Sequence, residues 1–207
     1  MDVLEALTGS GLAASAGLNA YIPLLTMGLL ARYTDLMQLP AGWQWLGDGW
    51  VIAILALLLA VEVVADKVPV VDHVNDMVQT FVRPTAGGLA FGAGSSAETV
   101  TVSDPGQFFS SNQWVPIAIG VVIALAVHGV KSAARPVINA TTAGFGAPVA
   151  STAEDATSVL VSVLAIVLPV LVLVFLLGFV LVVPWTLRRR RERKRERQAA
   201  RAAGFRV

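Results

Sequence analysis

The chain has 207 residues, 56% hydrophobic and 14% charged, with no cysteine and a mean hydropathy of +0.71, a balance that points to a membrane protein rather than an ordinary soluble domain. The missing cysteines exclude disulfide scaffolds, thiol catalysis, cysteine-ligated zinc and iron–sulfur clusters. The formal net charge of +1 hides two opposed regions: ten basic and two acidic residues from Arg188 onward give +8, while five basic and twelve acidic residues before it give −7.

The N-terminus carries Asp2 and Glu5 where a secretory signal would be basic, so no cleaved signal peptide is expected. A hydrocarbon core about 30 Å thick needs about 20 apolar residues to cross it. Residues 11–31 meet that length without a charge, and Gly11, Ser15, Gly17, Ala20 and Gly28 allow close helix approach. Residues 50–65 are apolar except Glu62 and reach full span with one further turn. In residues 66–82, Val70, Val71, Val74, Met77, Val78, Phe81 and Val82 recur every three or four positions, which predicts an amphipathic helix. Its other face holds Asp72, His73, Asn75, Asp76, Gln79 and Thr80, polar groups suited to a membrane surface or a wet cavity.

Residues 84–97 are too apolar for a loop and too short to span, about 21 Å if helical. Residues 114–133 form the third expected span, apolar apart from His128 and Lys131 and opened by Trp114, Val115 and Pro116. Residues 136–150 repeat the short apolar character of 84–97. Both are rich in small residues, a composition suited to backbone packed inside protein, and so are expected as re-entrant or broken helical elements. Residues 158–185 form the fourth and most hydrophobic span, long enough to require tilt or a kink at Pro169. The basic run from Arg188 to Arg195 follows directly. The positive-inside rule places it in the cytoplasm, where it meets anionic lipid, and no nucleic acid is expected as partner. Counting back through four spans places the N-terminus there too, as in a bacterial inner membrane. The expectation is an all-α polytopic membrane domain over residues 1–187 with a basic cytoplasmic tail over 188–207.

An internal repeat organises the polar residues. Leu59 to Val64 aligns with Leu125 to Val130, placing Glu62 opposite His128, and Arg83-Pro84 aligns with Arg135-Pro136. If each short element returns to its own side, units 50–97 and 114–150 are inverted, the pointer to a transporter-like site between two halves. Four of the five basic residues before the tail, Lys67, Arg83, Lys131 and Arg135, fall in these units. Ionisable groups at membrane depth cost about 2.5 to 3.5 kcal/mol each on insertion scales, so they face a cavity or pair internally. Glu62, Asp66, Asp72, Asp76, Glu154 and Asp155 are the acidic partners at hand. Asp72 and Asp76, one turn apart, together with Asp66 offer a weak divalent-cation set suited to a lipid phosphate. No glycine-rich nucleotide loop, Gly-x-Ser-x-Gly elbow or His-Glu-x-x-His motif is present, so enzyme chemistry is the minority expectation.

Gly17 to Leu24 with Asn19, Asp66-Lys67-Val68-Pro69 followed by Asp72 and Asp76, Arg83-Pro84, the series His128, Lys131, Arg135 and Asn139, and Ser151 to Glu154-Asp155 together resemble a known pattern. They are similar to the integral membrane family catalogued as domain of unknown function 4126, over roughly residues 5 to 180. The resemblance implies that these polar residues are family-pattern positions and implies no activity, and the chain departs from the pattern at residues 141–147. The first functional expectation is a small transporter or channel for a small ionic solute. Its site lies between the two Arg-Pro segments, with Asn19, Glu62, Arg83, His128, Lys131, Arg135, Asn139, Glu154 and Asp155 as pathway residues. Two alternatives stay open: a noncatalytic lipid-binding scaffold, and a metal-dependent membrane enzyme acting on a lipid phosphate. A homodimer is expected from the small number of spans.

Overall fold

The computed structural model describes residues 2–67, 69–95, 112, 114–142, 145–178 and 180–181, with backbone alone for 69–74 and 76. The described residues are helical and turn, without a strand. Helix α1 (Val3–Leu18) opens on a capping box, in which Asp2 Oδ1 accepts from the Glu5 amide and Glu5 Oε2 accepts from the Asp2 amide, each at 2.8 Å. Helix α2 spans Tyr21–Tyr33. A 3-10 turn over Ala41–Gly47 leads into α3 (Gly49–Ala65) with a bend of 63°. Helices α4 (Pro69–Gly94), α5 (Trp114–Thr142) and α6 (Gly146–Val167) complete the series.

Hydropathy alone misplaces several of these boundaries. The uncharged run 11–31 is two helices, because Pro23 has no amide hydrogen to donate to the carbonyl four residues back, that of Asn19. Asn19 instead adopts an extended backbone, and its Oδ1 accepts from the amides of Tyr21 and Ile22 at 3.1 and 3.2 Å, capping α2. Nor is 158–185 one helix: α6 begins already at Gly146 and ends at Val167, and Leu168, pushed out of the helical region by the following Pro169, carries φ −138° and ψ 68°. Residues 182–185 and the basic tail lie outside the described residues.

The two short apolar stretches form no elements of their own. Residues 84–94 complete the 26-residue α4, about 39 Å long, and residues 136–142 complete the 29-residue α5, about 43 Å. Pro84 and Pro136 stand inside these helices, each directly after an arginine held by carboxylates. Residues 96–97 and 143–144 of those stretches lie outside the described residues. Among the described residues two helices, α5 and α6, are long and apolar enough to cross a membrane, or three spans if the bent pair ending in α3 counts as one, where four were expected from the whole sequence. The chain is thus an all-helical membrane protein.

Residues 1–172 and 173–207 form two compact units. In the first, α1, α4 and α5 pack together at the centre, α6 lies against α1, and α2 packs with α3. Helices α4 and α5 run antiparallel: Arg83 meets His128, Gly87 faces Ala124 and Gly120, and Gly92 approaches Ile117. At the closest approach a methyl group on Gly87 or Gly120 would overlap the facing backbone oxygen, so only glycine fits. Outward positions are apolar: Leu57 and Val64 on α3 and Val122 on α5 are each 65% exposed. Inward positions include charge, with Glu62 2% and Arg83 0% exposed. This inside-out distribution is what lipid contact and a protein-lined interior require. In the second unit residues 173–178 are helical and carry Leu173, Val174 and Leu177.

Candidate functional site

Helix α3 delivers Glu62 to the interior on its one buried stripe, with Val51 and Leu55. Helix α4 places Asn75, Gln79 and Arg83 at successive intervals of four, on one face. Helix α5 adds His128, Lys131 and Arg135, and α6 adds Glu154 and Asp155. Asp66, the cap residue at the end of α3, lies at the centre of the resulting network.

Arg83 Nη2 donates to Glu62 Oε1 at 2.8 Å and stands 3.8 Å from Asp66 Oδ2. Lys131 Nζ and Arg135 Nη2 reach the same Asp66 oxygen at 3.1 and 3.3 Å. Both also hold Glu154 Oε2, at 3.0 and 2.7 Å. The second Asp66 oxygen accepts from the Asn75 amide at 2.7 Å. Lys131 donates further to the Leu18 carbonyl at 3.1 Å, a cation at the C-terminal end of α1 where the unpaired carbonyls lie. Burial pushes the Asp66 carboxyl up, but Lys131, Arg83 and Arg135, together with the Asn75 amide, outweigh it and hold it below the usual carboxylate range.

The remaining face of Arg83 fixes the state of His128. A guanidinium can only donate, so its Nη1, 3.0 Å from His128 Nδ1, requires that nitrogen to carry no proton. The imidazole is therefore neutral, with its proton on Nε2, toward Thr80 Oγ1 at 3.2 Å and Ser132 Oγ at 3.4 Å. At the opposite edge Asn19 Nδ2 donates to Asp155 Oδ1 at 2.9 Å, so the residue that breaks α1 from α2 also ties that break to α6. Three cations, Arg83, Lys131 and Arg135, thus face three carboxylates, Glu62, Asp66 and Glu154, all within one connected set.

A match to one family model runs from residue 6 to residue 189. The chain belongs to the family described as Domain of unknown function (DUF4126). No curated protein and no solved structure matches it. Every member of the network in this DUF4126 chain, from Asn19 to Asp155, lies within the matched range, which also takes in the first two residues of the basic tail.

Of the pathway residues expected from sequence, Asn19, Glu62, Arg83, His128, Lys131, Arg135, Glu154 and Asp155 sit at this one junction. Asn139 stands one turn beyond Arg135, and its Oδ1 has no partner among the described residues. Of the set expected for a metal, only the Asp66 side chain lies within the described residues. Asp66 is occupied by three cations and an amide, the side chains of Asp72 and Asp76 lie outside the described residues, and no group of three or more acidic or histidine side chains arranged for a metal is found among those described. Asn75, Thr80 and Ser132 join the network and Gln79 is buried on the same face of α4 as Asn75; the three residues of α4 were expected on a polar face suited to a membrane surface or a wet cavity, and Ser132 was not singled out. Thr80, Gln79 and Asn75 stand three, four and eight positions before Arg83, and Ser132 four after His128, so each shares a helix face with a charged or titratable residue, and that was the available signal. A surface cleft of about 450 Å³ lies elsewhere, beside Arg32, Asp35, Gln44 and Asp48, and no network residue lines it.

Proposed function

We propose that this DUF4126 chain is a small membrane transporter or channel for a small ionic solute, with the Glu62–Arg83–Asp66–Lys131–Arg135–Glu154 network as its polar site. One observation carries the reading: three cations and three carboxylates are gathered inside a chain whose outward side chains are apolar. Fastening helices needs only isolated pairs. Here Asp66 is shared by three cations, and Glu154 by two, so partners can exchange within about 4 Å while charge stays compensated. Exchange of that kind is what admitting and releasing an ion demands. Glu62 Oε2, Gln79 Oε1, Asn139 Oδ1 and Ser151 Oγ, buried and unpartnered among the described residues, add places for water or solute.

The antiparallel course of α4 and α5, which brings Arg83 and Arg135 to the same Asp66 oxygen, supports an inverted relation between the two Arg-Pro segments. The reading places both termini in the cytoplasm of a bacterial inner membrane, with the basic tail on anionic lipid. The scaffold alternative draws on a different observation, that Arg83, Lys131 and Arg135 are each at most 4% exposed and already paired.

The test is charge movement in proteoliposomes of the full chain, challenged in turn with sodium, potassium, chloride and phosphate gradients. A signal for at least one of them is expected, falling to the protein-free background in Arg83→Ala/Arg135→Ala. Lysine at both positions, which keeps charge but loses the planar fork, is expected to lower the signal and covers the case of a misfolded alanine variant. Unaltered transport in a folded double variant would sink the site assignment.

A further inference from the structure

Glu62 uses only one of its two oxygens: Oε1 accepts from Arg83, and Oε2 has no partner among the described residues although the side chain is 1% exposed. Gln79, one turn before Arg83 on α4 and 2% exposed, has the same defect at Oε1. Both side chains lie beside Tyr21 of α2. The phenol of Tyr21 has one hydrogen to give, so of these two buried acceptors at least one is left without a donor. The other charged or titratable groups facing Glu62 are Arg83 of α4, Lys131 of α5 and Asp66 at the end of its own helix.

We propose that Glu62 is a proton-binding site, in which a proton taken up from water bonds to Oε2 and the new hydroxyl donates to Gln79 Oε1. One added proton satisfies both oxygens. Nothing is oxidised or reduced, and the carboxylate becomes a neutral acid that still accepts from Arg83 through Oε1. Its pull on Arg83 is weakened, while Asp66 Oδ2 lies 3.8 Å from the same Nη2. Arg83 therefore leans toward Asp66 and competes there with Lys131 and Arg135, which hold Glu154 as their other partner. Proton uptake on α3 is transmitted in this way to α5 and α6. The consequence for function, that the proton is the coupling ion, rests on the transport reading above; the proton site itself does not.

The experiment is infrared difference spectroscopy of the full chain in lipid between alkaline and acidic pH, with glutamate carboxyl groups carrying carbon-13. The expected result is the carbonyl band of a protonated buried carboxyl that shifts with the label and is lost in Glu62→Gln. In Gln79→Leu, which removes the acceptor, the band moves to higher frequency, and this second readout decides the matter should Glu62→Gln not fold. Absence of a label-sensitive buried carboxyl band in the wild type, or its survival in folded Glu62→Gln, would overturn the proposal. So would an unmoved band in Gln79→Leu. A band that behaves as expected in a protein without solute flux would leave the proton site standing and remove the transport reading, so the two failures are distinct.

Discussion

The antiparallel pair α4 and α5 is joined by opposite chemistry at its two ends. Beyond Pro84, Gly87, Gly88 and Gly92 let α4 approach Ile117, Gly120 and Ala124 so closely that backbone meets backbone, and no charge intervenes. Before Pro84, Arg83 and Thr80 face the part of α5 that holds His128, Lys131 and Arg135, and the helices are joined by side-chain hydrogen bonds. Helix α1 follows the same division. Its early glycines lie against Phe91 and Ala165, whereas its last residues meet Lys131 and, at Asn19, Asp155. A glycine contact has one arrangement and fixes the helices. A network with shared partners has several arrangements of similar charge balance, so the two ends differ in their freedom to change.

Four substitutions sharpen that contrast. The largest effect is expected for Arg83→Ala, which leaves Glu62 as an uncompensated buried charge. Loss of one member of a buried ion pair costs about 3 to 5 kcal/mol, to be read from denaturant unfolding in detergent. Full stability of this variant would mean that the charged end carries no structural weight. Gly120→Val at the other end forces the helices apart, and overpacking of this kind costs about 1 to 3 kcal/mol. Transport measured in the surviving fraction should be unaffected if that end is only a fulcrum.

Ser15 sits between the two ends, with its Oγ 2.7 Å from Ser158 Oγ and 2.6 Å from Ser162 Oγ. Ser15→Ala is expected to cost about 0.6 kcal/mol, the average for hydrogen bonds between membrane helices. The smallest effect concerns pH. Asp66 is held below its ordinary value, so its stabilisation is complete above the unfolded carboxyl value of about 3.9 and is lost as pH falls through the lower folded value. The melting temperature of the wild type should therefore drop in that acid window. Asp66→Asn, less stable at neutral pH, should show a flatter acid limb, and an equally steep limb would assign the acid sensitivity elsewhere.

Composition and charge placement made the membrane class legible, and the two Arg-Pro segments led to the junction where the charges meet. The partners did not follow from sequence. Arg83 reaches Glu62 across 21 positions and Arg135 reaches Asp66 across 69, separations that only the packing of α3, α4 and α5 decides. Hydropathy read residues 11–31 as one span because it registers apolar area and is blind to the hydrogen-bond donor missing at Pro23. It shortened α4 and α5 for the converse reason. Pro84, Pro136 and the glycines after Pro84 resemble helix punctuation, but here Gly87 and Gly88 serve close approach and the helix continues through them. Gln79 was hidden because a polar stripe on an amphipathic helix looks alike whether it faces water or a buried network, and Ser132 because a lone serine in an apolar span carries no signal of its own.

The most direct test uses the absence of native cysteine. Single cysteines at Gln79, Ser132, Asn139 and Ser151 sample the charged end and its outlets, and single cysteines at Ala86, Ala90 and Ala124 sample the glycine end. Treated in intact proteoliposomes with a membrane-impermeant, water-soluble thiol reagent, the first set should be labelled and the second should stay unreactive, as a hydrated polar pathway beside a dry fulcrum predicts. Equal lack of labelling in both sets, with every variant folded, would contradict a pathway and leave the buried charges as fastenings alone.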